Sequence, residues 1–210
     1  ATLNRNQYIL DNIPVNDQWN YTIGTRYRYF IPTGGFHTVV LSRNHLNNTA
    51  LKYDDNIDNI ENLILDYSSQ EIENKFRYEY TIKKWGWDLN VGAGTDYVQY
   101  LNETYNKISN SDSIIEINYV SKLDFFKTSV FAQFTNEFLN ERVMLSLGLR
   151  TDFNNYNKSM SSIFNQFSPR ASLSYYLKSN LKFSINSGIY YQLPAYTVMG
   201  YRDGDVLINK

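Results

Sequence analysis

The sequence predicts an all-β fold, an antiparallel transmembrane β-barrel, and three observations carry that reading. Apolar and polar residues alternate with period two through one segment after another. Short turns and long polar connections follow each other in strict succession. Aromatics make up 16% of the 210 residues, led by 19 Tyr and 12 Phe, yet the mean hydropathy is -0.47. A chain that is polar overall but rich in Tyr and Asn suits a wall with lipid on one side and water on the other. No run approaches the roughly 18 apolar residues that a membrane helix needs.

The first strand reads from Trp19 to Tyr29. Trp19, Tyr21, Ile23, Thr25, Tyr27 and Tyr29 lie on one face, and Asn20, Thr22, Gly24, Arg26 and Arg28 on the other. Pro32-Thr33-Gly34-Gly35 is a tight turn. A return strand covers Phe36 to Arg43, although Val39-Val40-Leu41 leaves its facing open. A polar connection is expected over about Asn44 to Ser69. The third strand sets Phe76, Tyr78, Tyr80 and Ile82 against Lys75, Arg77, Glu79 and Thr81, and Lys83-Lys84-Trp85-Gly86 turns it. Its partner sets Trp87, Leu89, Val91, Ala93, Thr95 and Tyr97 against Asp88, Asn90, Gly92, Gly94 and Asp96.

A second long polar connection is expected over about Asn102 to Lys122. A strand from about Phe125 to Phe138 then reaches the turn Leu139-Asn140-Glu141-Arg142. The next strand alternates most cleanly, with Val143, Leu145, Leu147 and Leu149 opposed to Met144, Ser146, Gly148, Arg150 and Asp152. A third polar loop spans about Asn154 to Phe167. Two more strands follow, Arg170 to Leu177 and Leu181 to Tyr190, joined by Lys178-Ser179-Asn180. That makes about eight strands.

Arg26, Arg28, Glu79, Asp88, Arg150 and Asp152 all share the polar face. Arg or Lys on the lipid face at midplane would cost about 2–4 kcal/mol, so this placement marks the lumen. Aromatics flank two tight turns, with Tyr29, Phe30 and Phe36 at the first and Trp85 and Trp87 at the second. They are expected to form a headgroup girdle. The stretches before Trp19 and from Pro194 to Lys210 read as long loops, so the expectation is a portion of a larger barrel. Unpaired edges in lipid leave backbone groups unsatisfied at several kcal/mol each. The opening Ala1-Thr2-Leu3-Asn4 is polar and does not read as a leader peptide, so the expectation is that one was removed or that the true N-terminus lies elsewhere.

Several chemistries are disfavoured. A net charge of -1 argues against a nucleic-acid partner, and the absence of cysteine excludes a disulfide scaffold or a thiolate metal site. His45, read as a loop residue, and the oxygen-rich Asp54-Asp55-Asn56-Ile57-Asp58-Asn59 match no metal-ligand spacing. Gly92-Ala93-Gly94 lies inside a strand pattern with no helix after it, which rules out a phosphate loop. These glycines are expected to let a plug approach or a strand bend. No Ser-His-Asp set can be assembled, so neither an enzyme nor a cofactor is expected. A soluble β-sandwich is the disfavoured fold alternative.

Several segments resemble the barrels of TonB-dependent outer-membrane receptors of the Bacteroidetes type. They include Leu41 to Asn48, Leu65 to Lys75, Val130-Phe131-Ala132-Gln133 and Leu147-Gly148-Leu149-Arg150-Thr151-Asp152. Phe167-Ser168-Pro169-Arg170-Ala171-Ser172-Leu173-Ser174-Tyr175 and Tyr190-Tyr191-Gln192-Leu193-Pro194 resemble the later strands. The resemblance implies that residues 1–210 are part of a plugged barrel of about 22 strands in the outer membrane of a Gram-negative bacterium. It implies a plug of its own, a periplasmic TonB partner, and energised uptake of a large scarce nutrient such as an iron chelate, cobalamin, a glycan or a peptide. A surface lipoprotein is a further expected partner. The alternative is a structural barrel within a larger outer-membrane assembly. Arg150, Asp152 and Arg170 are the lumen candidates. They contact substrate, hold the plug, or form a charge network that keeps strand register.

Overall fold

The computed structural model describes residues 10, 13–32, 34–110, 113–203 and 206–208. Eight strands run in sequence order through one antiparallel sheet. They are β1 (Val15–Ile31), β2 (Gly35–Tyr53), β3 (Leu63–Lys84), β4 (Trp87–Asn110), β5 (Ser113–Phe138), β6 (Val143–Asn154), β7 (Phe167–Lys178) and β8 (Leu181–Gly188). After them come a single helical turn, α1 (Tyr196–Met199), and a small hairpin of β9 (Arg202–Asp203) and β10 (Val206–Leu207). Among the described residues the large sheet does not close, and β1 and β8 each pair on one side only.

Cross-strand register fixes the two faces. Tyr27, Val39, Tyr78, Ala93, Val130 and Thr151 stand in one row. The adjacent row holds Arg28, Thr38, Glu79, Gly92, Phe131, Arg150 and Ser168. Successive side chains point to opposite faces, so the first row is the outer wall and the second the inner one. Register also settles Val39-Val40-Leu41: Val39 and Leu41 face out, while Val40 pairs with Arg26 and Arg77 on the inside.

The strands are much longer than the alternation predicts. A bilayer needs about 9–11 residues per tilted strand, yet β3, β4 and β5 have 22, 24 and 26 residues. Most of the stretches expected as polar loops, 44–69 and 102–122, are strand. A ribbon with water on both sides has no reason to alternate in polarity, but its backbone ladder holds it extended all the same. The first connection shrinks to the segment between Tyr53 and Leu63, and residues 111–112 alone separate β4 from β5. His45 therefore sits in β2, not in a loop, with its ring 4.7 Å from that of Trp19 and 5.6 Å from that of Tyr21. The first strand likewise starts at Val15, ahead of Trp19. Leu3 and Ile9 of the expected entry loop fall outside the described residues.

The outer face shows where hydrocarbon ends. Phe134, Ala132, Val130, Thr128 and Phe126 face out along β5, followed on the same face by Asp124 and Lys122. Tyr97 packs its ring 5.0 Å from Phe126 and donates its hydroxyl to Asp124 at 3.2 Å. Level with it, Arg43 donates to the Tyr21 hydroxyl (3.1 Å) and to Asn74 (2.8 Å). Rings in the apolar band with polar ends above it define the outer headgroup level. Near the tight turns, Trp87 and Phe138 meet edge to face on the outside at 6.0 Å. Phe30 and Phe36 depart from the expected girdle. Their register with Thr81 turns them inward, and the Arg28 guanidinium lies 4.5 Å from the Phe36 ring centre.

The two-residue turn Trp85-Gly86 has φ of 54° and 77°. Two positive φ values mark the hairpin turn whose twist matches its strands. A Cβ on Gly86 would meet only Asn136, at 3.8 Å, so a side chain there strains conformation, not packing. Gly86→Val is expected to cost about 1–2 kcal/mol, read as a lower urea midpoint for the folded barrel. Val130→Arg on the lipid face is expected to cost about 2–4 kcal/mol, and Gln133→Arg on the inner face distinctly less. Equal losses would refute the assignment of faces.

Candidate functional site

The inner wall is not uniformly wet. Val98, Tyr100, Leu123 and Phe125 lie on the inward face of β4 and β5, at or above the outer headgroup level, and all are buried. What covers them is the segment after β8, of which Pro194 to Lys210 was expected from sequence to be a long loop. Met199 of α1 is 2% exposed and packs in the same cluster with Tyr156 from the β6–β7 connection. Tyr156 donates its hydroxyl to the Met199 carbonyl at 2.7 Å. At Gly200 a Cβ would stand 2.9 Å from both Ser121 Oγ and the Tyr100 ring, so only glycine allows this approach.

An ion-pair cluster fixes the segment from below. Lys127 Nζ lies 2.7 Å from Glu73 and 3.5 Å from Asp96, and Glu73 also binds Lys75 at 2.5 Å. The Tyr196 hydroxyl donates to Glu73 and accepts from Lys127 at 2.8 Å. Charge-assisted bonds of this kind are about twice as strong as neutral ones. Above this level, burial and the neighbouring Glu73 charge push the Glu71 carboxyl up from its ordinary range, while Lys127 pulls the other way. Burial also raises the phenol of Tyr100.

Beneath the segment an inner-face groove of about 530 Å³ is lined by Lys127, Arg150, Asp152, Arg170, Tyr191 and Tyr196 among others. All three sequence candidates are in it. Arg150 clasps Asp152 through Nε and Nη2 at 2.7 and 2.6 Å. Arg170 joins neither; its guanidinium lies 4.5 Å from the Tyr190 ring centre. Lys127 and Tyr196 were not among the candidates. Continuing the period-two pattern of β5 from Phe131 places Lys127 on the inner face, so its sequence carried that signal. For Tyr196, which lies beyond the last alternating strand, it carried none.

Other expectations resolve locally. The Phe131 ring would lie 2.7 Å from a Cβ on Gly92. That glycine thus makes room for an aromatic of this chain, a role outside the two expected of it, plug approach or strand bending. His37 faces out, with Nδ1 2.7 Å from the Tyr78 hydroxyl. Among the described residues no group of His, Asp and Glu is placed to hold a metal ion.

A lipid-banded outer wall, a polar inner wall and an antiparallel meander of strands define an outer-membrane β-barrel protein. A family model described as TonB dependent receptor-like, beta-barrel, matches residues 16–207, and the chain belongs to that family. No curated protein and no solved structure matches it. Its place is the outer membrane of a Gram-negative bacterium, and its family consists of transporters linked to TonB, not enzymes.

Two outcomes test this site. Met199→Ala is expected to remove hydrogen-exchange protection from residues 194–203 while leaving that of β3 to β5 unchanged. Glu71→Gln is expected to stabilise the folded barrel at neutral pH, because the ionised carboxylate carries the burial cost. That gain should shrink as pH falls through the raised pKa and vanish below the ordinary carboxylate range of about 4, as followed by urea midpoints across pH.

Proposed function

We propose that this chain forms part of the wall of a plugged barrel that takes up a large, scarce solute with energy delivered by periplasmic TonB. The solute classes are an iron chelate, cobalamin, a glycan or a peptide, and the receptor is of the Bacteroidetes type. Residues 1–210 supply eight strands of a barrel of about 22, and the remaining strands and the plug come from outside them. Among the described residues β1 and β8 each have one unpaired edge, which supports this, since in hydrocarbon each edge needs a partner strand. A surface lipoprotein captures the solute before it enters.

The observation that carries the reading is the groove. It sits on the inner wall, below an in-folded segment, and combines cations, carboxylates and tyrosines. Such a surface holds a polar solute by several weak contacts and leaves the lipid face untouched. In this reading Arg150 and Asp152 serve mainly each other, and Arg170 is the candidate with donors to spare.

The test is growth of strains lacking either the receptor or TonB on single sources of each solute class. Loss of the same source in both strains is expected. If neither deletion affects any source, the barrel is a structural component of a larger assembly instead.

A further inference from the structure

A second, smaller recess on the inner wall brings a third guanidinium, that of Arg77, beside Arg150 and Arg170 of the groove. It measures about 190 Å³ and is lined by Arg77, Arg150 and Arg170, with Asn90, Gln133 and Gly148. No carboxylate lines it among the described residues. The three arginines come from β3, β6 and β7, brought together by register and not by sequence proximity.

Each guanidinium is held in place beforehand. Arg77 pairs with Glu79, and its Cζ lies 5.4 Å from the Phe131 ring centre. Arg150 spends Nε and Nη2 on Asp152, which leaves Nη1. Arg170 leans on Tyr190 and makes no hydrogen bond or ion pair among the described residues. Three cations thus face two partner carboxylates, Glu79 and Asp152, and the excess charge lies with Arg170. Asn90 accepts from Thr81 through Oδ1 at 3.5 Å, which leaves its amide nitrogen to donate. Gly148 keeps the floor open, since a Cβ there would touch only Arg170, at 3.7 Å.

The register sets the recess level with Ala132 and Leu149 of the lipid band. Hydrocarbon behind the wall at that depth is a low-dielectric medium and strengthens the field of the arginines. The volume is below that of a pocket for a whole drug-sized ligand, so it suits one functional group of a larger molecule. Planar donor forks match carboxylate and phosphate oxygens.

We infer that Arg77, Arg150 and Arg170 form an oxyanion subsite of the lumen that receives a carboxylate or phosphate group. This rests on the uptake reading where the group belongs to the transported solute. The same chemistry has a second source, an acidic side chain of whatever fills the lumen.

The test uses the full-length receptor in detergent, with citrate and pyrophosphate as probes and maltose as the neutral control, by calorimetry at low ionic strength. If the source is the solute, a probe binds, and Arg170→Gln weakens it roughly tenfold or more, while Arg170→Lys weakens it less. Maltose should not respond to either change. If the source is internal, no probe binds, but Arg170→Gln raises ion leak through the receptor in planar bilayers and Arg170→Lys restores tightness. Neither probe binding nor a change in leak, in a variant that runs as a folded barrel, would overturn the subsite. Because binding and leak need no TonB, the absence of any TonB-dependent uptake would count against the uptake reading and leave the subsite standing.

Discussion

Inside hydrocarbon no water is present to satisfy a peptide group, and every other feature of this chain follows from that. Each unpaired N–H or C=O costs several kcal/mol there, so strands cross a membrane only as members of a continuous ladder. The chain meets this with the simplest topology available, in which each strand pairs with its neighbours in sequence. Once the ladder exists, period two is forced on the side chains, and lipid and lumen divide them between the faces. The ladder then continues past the bilayer, where nothing apolar is required, and carries β3 to β5 well beyond the outer headgroup level.

That extension creates an inner surface with no lipid behind it and no bulk water demand in front of it. Here the wall turns apolar on the inside, and the chain covers it with its own later segment. Two different interactions hold the segment. Burial of Met199 among Val98, Tyr100, Leu123 and Phe125 supplies non-directional attraction. The Tyr196 hydroxyl, shared between Glu73 and Lys127, supplies direction. Together they place Tyr191 and Tyr196 over the strands that carry Arg150, Asp152 and Arg170.

The legible part of the fold was the part in contact with hydrocarbon. Phe76 to Ile82, Trp87 to Tyr97 and Val143 to Leu149 alternate because one side meets lipid, and the structure gives them the facing that alternation predicts. The strand portions of Asn44 to Ser69 and Asn102 to Lys122 were illegible because water on the outside removes the pressure to alternate. Phe30 and Phe36 misled because a ring near a turn suits a girdle and a lumen packing partner equally well. Arg150, Asp152 and Arg170 could be singled out because charges on the polar face of a clean strand stand out, and the structure places all three along the groove. Arg77 and Lys127 obey the same rule and gain their roles only from partners on other strands. Tyr196 and Met199 lie in a segment with no periodicity, and only the tertiary fold shows what they touch.

The most direct test of the two-faced wall is a nitroxide scan of positions 126–134 along β5 in the receptor reconstituted in lipid, with oxygen and a nickel chelate as relaxation agents. Positions 126, 128, 130, 132 and 134 should favour oxygen, and 127, 129, 131 and 133 should not, giving an accessibility profile of period two. A profile without that alternation, or with its phase reversed, would contradict the account.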